Sequence, residues 1–319
     1  MVILKQRAWR GGSPAVQGLM GVMGRPAVKA QYPFASNYLD QRGFRQHYLD
    51  EGSGRPVVMV HGNPTWSFYY RKLAAELRRD HRVIVPDHIG CGLSEKPAVG
   101  DYPYTLERRV DDLDRLLKHA GVGDDVSLVV HDWGGMIAMA WARRHPEKVK
   151  RLVILNTAAF HPPEGKAVPW QLKLARTPLG TVLVRGFNAF CRGAASDCVT
   201  RRPLAPDVRD AYLAPYDSWS NRAAVLRFVQ DIPLRPEDPG YDLISKTAEG
   251  LGRFRETPAM ICWGMRDFVF DVDYLVEWER RLPKAAVHRF PDCGHYVLED
   301  ASEEILELVR GFFAANPLD

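Results

Sequence analysis

The chain has 319 residues, of which 46% are hydrophobic and 26% charged, enough to bury a large core and still present a polar surface. Its formal charge of +4, from 43 basic against 39 acidic residues, is too small an excess to argue for a nucleic-acid partner, and no base-reading motif is found. No apolar run approaches the roughly 18 residues that a membrane-spanning helix needs.

Residues 1–39 carry Lys5, Arg7, Arg10, Arg25 and Lys29 but no acidic side chain. A disordered basic tail over 1–33, or a start codon placed too far upstream, is the favoured expectation. Targeting segments and membrane-surface anchors share this composition, but the apolar patch Leu19 to Met23 is short and broken by Gly21. Five widely spaced cysteines, Cys91, Cys191, Cys198, Cys262 and Cys293, form no C-x-x-C pair and no zinc spacing, as expected of a reducing, cytoplasmic setting.

After Phe34 short β-branched runs alternate with longer amphipathic stretches, the pattern of βαβ units on a mostly parallel sheet. Strands are predicted at Phe44 to Leu49, Val57 to Val60, Arg82 to Val85, Val126 to Val130, Leu152 to Leu155, Ala259 to Trp263 and Val287 to Phe290. Helices are predicted at Ser67 to Arg79, Leu106 to His119, Met136 to Arg144 and Glu303 to Phe313. From Thr157 to about Leu234 no buried strand is visible, only Pro-marked helical pieces rich in aromatic residues and Arg. The expected organisation is an α/β core of residues 34–156 and 235–319 with a helical cap of residues 157–234. An insertion at a strand's carboxyl end would lie over the ligand site of such a sheet.

The strongest chemical signal is Val129-Val130-His131-Asp132-Trp133-Gly134-Gly135, an apolar strand entering a small-residue turn and then a helix. This is the context of a nucleophile elbow, with Asp where Ser is usual. A carboxylate is already charged at neutral pH and needs no base to attack saturated carbon. The bland alternative is an Asp that caps the helix. His61-Gly62-Asn63-Pro64, after the strand Val57 to Val60, can place the Asn63 amide beside the Trp133 indole N–H, two neutral donors for a departing halide or carboxylate; taken singly they read as a turn and a packed aromatic. His295, in Cys293-Gly294-His295-Tyr296, is the late histidine expected after a nucleophile and an acid in chain order, and Asp267, in Trp263-Gly264-Met265-Arg266-Asp267, is the acid. Asp271 and Asp273 are alternatives for the acid, and Asn156 stands where a second family of acids would. No phosphate-cradling loop or metal cluster is found, so no cofactor is expected.

With these residues in view, the stretch from about Pro33 to Phe313 resembles the haloalkane dehalogenase branch of the α/β-hydrolase superfamily. The His-Gly-Asn-Pro loop, the His-Asp-Trp-Gly-Gly elbow, Pro86-Asp87-His88-Ile89-Gly90-Cys91-Gly92 and the closing Gly-His turn carry the likeness. Within that branch Pro64-Thr65-Trp66-Ser67-Phe68-Tyr69-Tyr70-Arg71, Asn156-Thr157-Ala158-Ala159-Phe160-His161, Ala214-Pro215-Tyr216-Asp217-Ser218-Trp219 and Trp263 to Phe270 look closer to the β-lactone decarboxylases of bacterial long-chain olefin biosynthesis.

The second resemblance implies a cis-3,4-dialkyl β-lactone as substrate, a cis-alkene and CO2 as products, and possible assembly with the enzymes that make the lactone. The first implies hydrolysis of a haloalkane through an alkyl ester on Asp132, with His295 and Asp267 activating water. Either way the partner is a small alkyl substrate. For the lactone, attack of Asp132 on the ring carbon bearing oxygen, followed by elimination, is the expected route; attack at the carbonyl, giving a mixed anhydride, is its alternative. An epoxide hydrolase using cap tyrosines from among Tyr212, Tyr216 and Tyr241, and a non-catalytic binding protein of the same fold, are more remote readings.

Overall fold

A computed structural model describes residues 14–166 and 169–318. Eight strands form one sheet: β1 (Asn37–Asp40), β2 (Arg45–Glu51), β3 (Pro56–Val60), β4 (Arg82–Pro86), β5 (Val126–Asp132), β6 (Val149–Thr157), β7 (Ala259–Gly264) and β8 (Ala286–Phe290). Their spatial order is β1-β2-β4-β3-β5-β6-β7-β8. Only the pairs β1 with β2 and β2 with β4 are antiparallel; β4, β3, β5, β6, β7 and β8 run parallel. The fold is therefore the expected α/β class, and the seven predicted strands form within a few residues of their expected limits.

The β-branched runs explain the parallel strands. Val58, Val60, Leu128, Val130, Leu152 and Ile154 enter one apolar core, and the intervening Val57, Met59, Val129, Val153 and Leu155 enter another on the opposite face. A sheet covered by helices on both faces needs apolar residues at consecutive positions, which is what these strands supply. β1 escaped the sequence reading because it is a four-residue edge strand with alternating half-buried and exposed residues, paired through Asn37↔Tyr48 to Asp40↔Arg45.

Between β6 and β7 the described chain is helical. Trp170–Ala175, Pro178–Thr181, Val182–Gly186, Ala189–Asp197, Pro206–Leu213 and Ala223–Gln230 are its principal pieces. Ala175, Val184, Cys191, Tyr216, Val225, Leu226 and Val229 form a third, smaller core here. The helix Tyr241–Gly250 instead packs against the helix Trp133–Arg144 beside the sheet. All five cysteines are buried and free. No helix among the described residues is long and apolar enough to cross a membrane.

The expected disordered tail is corrected by the structure from Pro14 onward. Helices Pro14–Met23 and Pro26–Gln31 pack beside the helix Pro206–Leu213, and Arg25 bridges Asp207 at 3.2 Å and Asp210 at 2.7 Å. Val28 is fully buried, and the Tyr32 hydroxyl lies 2.6 Å from Ser67 Oγ, its ring among Phe34, Trp66 and Phe68. Pro26 at the first helical position has the preset φ and the dispensable N–H that suit a helix start. Residues 1–13 lie outside the described residues. Tyr32→Ala is expected to lower the unfolding free energy by about 3–5 kcal/mol, the cost of truncating a buried aromatic side chain. Urea unfolding measures this; a loss under about 1 kcal/mol would mean that the segment is only loosely attached.

Candidate active site

Because β3, β5, β6, β7 and β8 are parallel, their carboxyl ends share one edge of the sheet, and each of the five delivers a residue there. The register Val60↔Val130, Val130↔Ile154, Ile154↔Ile261 and Ile261↔Val287 keeps those ends level. Asn63 follows β3, Asp132 ends β5, Asn156 lies near the end of β6, Asp267 follows β7 and His295 follows β8. All five are buried.

Asp132 has φ 51° and ψ −130°, a conformation that a side chain with a Cβ adopts only under strain of about 1–3 kcal/mol. Its carboxylate does not cap the following helix; Oδ1 instead accepts the Asn63 backbone N–H at 2.6 Å. The Thr157 hydroxyl donates to the Asp132 carbonyl and fixes the turn from the other side. The turn requires glycine where chains meet: a Cβ on Gly62 would fall within the Asp132 carboxylate, and one on Gly134 against the Val60 carbonyl.

His295 Nδ1 lies 2.7 Å from Asp267 Oδ2, and Nε2 lies 3.7 Å from Asp132 Oδ2, too far for a hydrogen bond. Asp267 is anchored in turn: Oδ1 accepts the Val269 and Phe270 N–H groups at 2.7 and 3.1 Å, and Oδ2 accepts Asn156 Nδ2 at 3.0 Å. Asn156 also exchanges bonds with the Gly264 backbone, accepting its N–H at 2.8 Å and donating to its carbonyl at 3.0 Å. Asn156 thus holds β6 to β7 and supports Asp267 without supplying an acid of its own. Asp271 and Asp273, the alternative acids, are taken up by Lys166 away from His295.

Burial pushes the Asp132 carboxyl above its ordinary value, opposed by the His295 charge and by the Trp133 and Asn63 N–H groups. Burial alone would lower His295, but Asp267, with help from Asp132, reverses this and holds the imidazole above its ordinary value. Neighbouring His131 is held far below the ordinary range by burial and by His295; its Nε2 meets the His295 carbonyl at 2.9 Å and its ring stacks on Tyr69. The loop after β3 is braced by buried Asp87, which pairs with His47 Nδ1 at 2.8 Å and accepts the Ser67 and Leu93 N–H groups. Although burial opposes its charge, His47 in particular brings Asp87 down to about 2.

Asn63 and Trp133 both border the cavity above Asp132. The Asn63 side chain departs from expectation: Nδ2 donates to the Val225 carbonyl at 3.1 Å, tying the loop to the inserted helices, and Oδ1 has no partner among the described residues. The Trp133 indole packs edge-on to Phe228, with no hydrogen-bond partner for its N–H among the described residues. The cavity has a volume of about 390 Å³, and its wall is mostly apolar, including Met136, Phe160, Leu174, Phe190, Ile232 and Tyr274. These wall residues come from separated segments with no shared spacing, so sequence reading did not identify them as a wall, although Phe160 lies in the segment Asn156 to His161 that it singled out. Tyr212, Tyr216 and Tyr241 do not line the cavity; the Tyr212 hydroxyl is bound to Glu299 and that of Tyr216 to the Thr65 carbonyl.

The parallel sheet, the strained acidic elbow and the imidazole facing it define the class, and the chain belongs to the α/β-hydrolase fold family, whose pattern matches residues 55–302. It is 55% identical over 281 residues to the cis-3-alkyl-4-alkyloxetan-2-one decarboxylase of Shewanella oneidensis, covering 88% of each chain. It is 50% identical to the enzyme of the same name from Xanthomonas campestris pv. campestris, covering 90% of this chain and 98% of that one. A haloalkane dehalogenase of Mycolicibacterium paratuberculosis is more distant, at 34% identity over 87% of this chain and 92% of its own.

Asp267→Asn should bring the His295 pKa down below the ordinary histidine value of about 6.5, because burial then outweighs the single remaining carboxylate. NMR titration of the His295 ring follows this directly. An unchanged midpoint would deny Asp267 its control of the imidazole.

Proposed function

We propose that this protein is a cis-3-alkyl-4-alkyloxetan-2-one decarboxylase, converting a cis-dialkyl β-lactone to a cis-alkene and CO2. The observation that carries this reading is the identity of 55% and 50% to two decarboxylases of that name, against 34% to a dehalogenase. The geometry is compatible with it: a buried carboxylate stands at the floor of an apolar cavity.

In this account Asp132 attacks the ring carbon that bears the ring oxygen. The carbon–oxygen bond breaks with inversion, and the lactone carboxyl leaves as a carboxylate still attached to the neighbouring carbon. Backside attack places the new Asp132 ester oxygen antiperiplanar to that carboxylate-bearing bond. Cleavage of the carbon–carbon bond then releases CO2, its electron pair forms the alkene, and the Asp132 carboxylate is expelled unchanged. Inversion followed by anti elimination equals syn loss, so a cis lactone yields a cis alkene.

No proton and no water are consumed, and a general base therefore has no step to perform. His295 serves as a positive charge: Asp267 sustains its protonated form, and that charge stabilises Asp132 and the carboxylate freed from the ring. The Trp133 indole N–H and the amide hydrogen of Asn63 not bound to Val225 receive the freed carboxylate. A dehalogenase would instead need His295 neutral, to take a proton from the water that cleaves the ester. The helices of residues 157–234 act as the cap over the reaction. The lactone comes from other enzymes of olefin biosynthesis in the cytoplasm, with which this protein assembles.

Gas chromatography of products tests the proposal. Incubation with a cis-dialkyl β-lactone should give cis-alkene, while 1-bromobutane should give no sustained release of butanol; Asp132→Asn should lower alkene formation by at least about 1,000-fold. Repeated turnover of bromobutane with the lactone left intact would make the protein a dehalogenase.

A further inference from the structure

Among the described residues twelve large apolar side chains stand exposed, and six of them, Trp170, Leu179, Val182, Phe187, Trp219 and Leu234, fall in the helical region between β6 and β7. Single exposed apolar residues are ordinary, but clusters of them mark contact surfaces. Four of these are drawn together by the short helices Pro178–Thr181 and Val182–Gly186. Leu179 and Val182 are three residues apart on one face, with exposures of 60% and 45%, and Phe187 follows at 66%. Trp219 joins them across Gly186, where a Cβ would lie 3.8 Å from both the Trp219 ring and Val182 Cγ1. The same helices turn Gly180, Leu183 and Val184 inward to the cavity. Their outer apolar face is therefore separate from substrate binding.

The charge around this face is mainly basic. From Gly165 to Ser196 the chain has Lys166, Lys173, Arg176, Arg185 and Arg192 and no Asp or Glu. Lys166 is taken up by Asp271 and Asp273. Among the described residues the other four make no ion pair: Arg176 donates to the Val229 and Ile232 carbonyls, and Arg185 lies over the Trp219 ring at 4.6 Å while donating to the Trp219 carbonyl. Arg185 meets only neutral partners, whereas Arg176 also acts on the Asp238 carboxylate and is partly compensated by it. Acidic Asp217 and Asp197 stand at the margins of the face.

We propose that this face, built on Leu179, Val182, Phe187 and Trp219 and bordered by Lys173, Arg185 and Arg192, seats the protein on an anionic lipid surface. Exposed Trp, Phe and Leu among basic residues suit the headgroup boundary, where apolar tips enter the acyl layer and cations meet phosphate. A second copy is a poorer occupant, because a two-fold contact through this patch would set its basic residues against themselves. The proposal goes beyond the decarboxylase reading and does not depend on it.

Sedimentation of the full chain with vesicles tests it, using phosphatidylcholine alone and phosphatidylcholine mixed with phosphatidylglycerol. The protein should pellet with the mixed vesicles, less at high salt, and much less with phosphatidylcholine alone. Leu179→Asp/Phe187→Asp should weaken the partition about ten-fold or more, and Lys173→Glu/Arg192→Glu about five-fold per basic residue removed. Thermal melting confirms that each variant is folded; if the first is not, Phe187→Ser takes its place with the same expected direction. Failure of the wild type to pellet with anionic vesicles, or equal pelleting of folded variants, overturns the proposal. So does a wild-type dimer that these substitutions dissolve in the absence of vesicle binding.

Discussion

The site depends on one electrostatic arrangement, a buried imidazole between two buried carboxylates. Asp132 and Asp267 could not both remain charged out of water without a cation, and His295 is the group that faces both. The two contacts are unequal. The Asp267 contact, at 2.7 Å, is a hydrogen bond that fixes the ring, whereas the Asp132 contact, at 3.7 Å, leaves that carboxylate facing the cavity, held through the backbone N–H groups of Trp133 and Asn63. One carboxylate is thereby locked to the imidazole and the other left facing the cavity. The difference comes from anchoring: Asp267 receives three further donors, from Asn156, Val269 and Phe270.

That arrangement accounts for much of the surrounding backbone. The strain at Asp132 is sustained by Thr157 on one side and the Gly62-Asn63 segment on the other, and the latter is braced from beneath by the Asp87 cluster. The Asn63 amide reaches to the Val225 carbonyl, so the loop beside Asp132 also ties the sheet to the inserted helices. A shift in those helices would be felt directly at the Asn63 side chain.

Much of this was legible in the sequence because the signals are local. Consecutive β-branched residues mark strands buried on both faces, and a Gly-rich turn after such a strand marks an elbow whatever residue it holds. Chain order then pointed to His295 and to Asp267, with Asp271 and Asp273 as alternative acids, and the structure brings His295 to Asp132 and Asp267 to His295. What was not legible depends on distant contacts. The helix starting at Pro26 was hidden by its basic, acid-poor composition, which obscured the burial of Val28 and Tyr32. β1 is short and lies at an edge. The alliance of Asn156 with Asp267 spans 111 residues, and the turn of Asn63 toward Val225 spans 162, so neither leaves a trace in local spacing.

The proposed chemistry differs from hydrolysis in the fate of one atom. If the ester on Asp132 is broken by elimination, the aspartate recovers its own two oxygens; if water breaks it, one oxygen is replaced. Mass spectrometry of the Asp132 peptide after many turnovers of cis-dialkyl β-lactone in ¹⁸O-enriched water reads this directly. The account predicts alkene in quantity and no ¹⁸O in Asp132. Label accumulating in Asp132 as lactone is consumed would contradict it and make His295 a hydrolytic base.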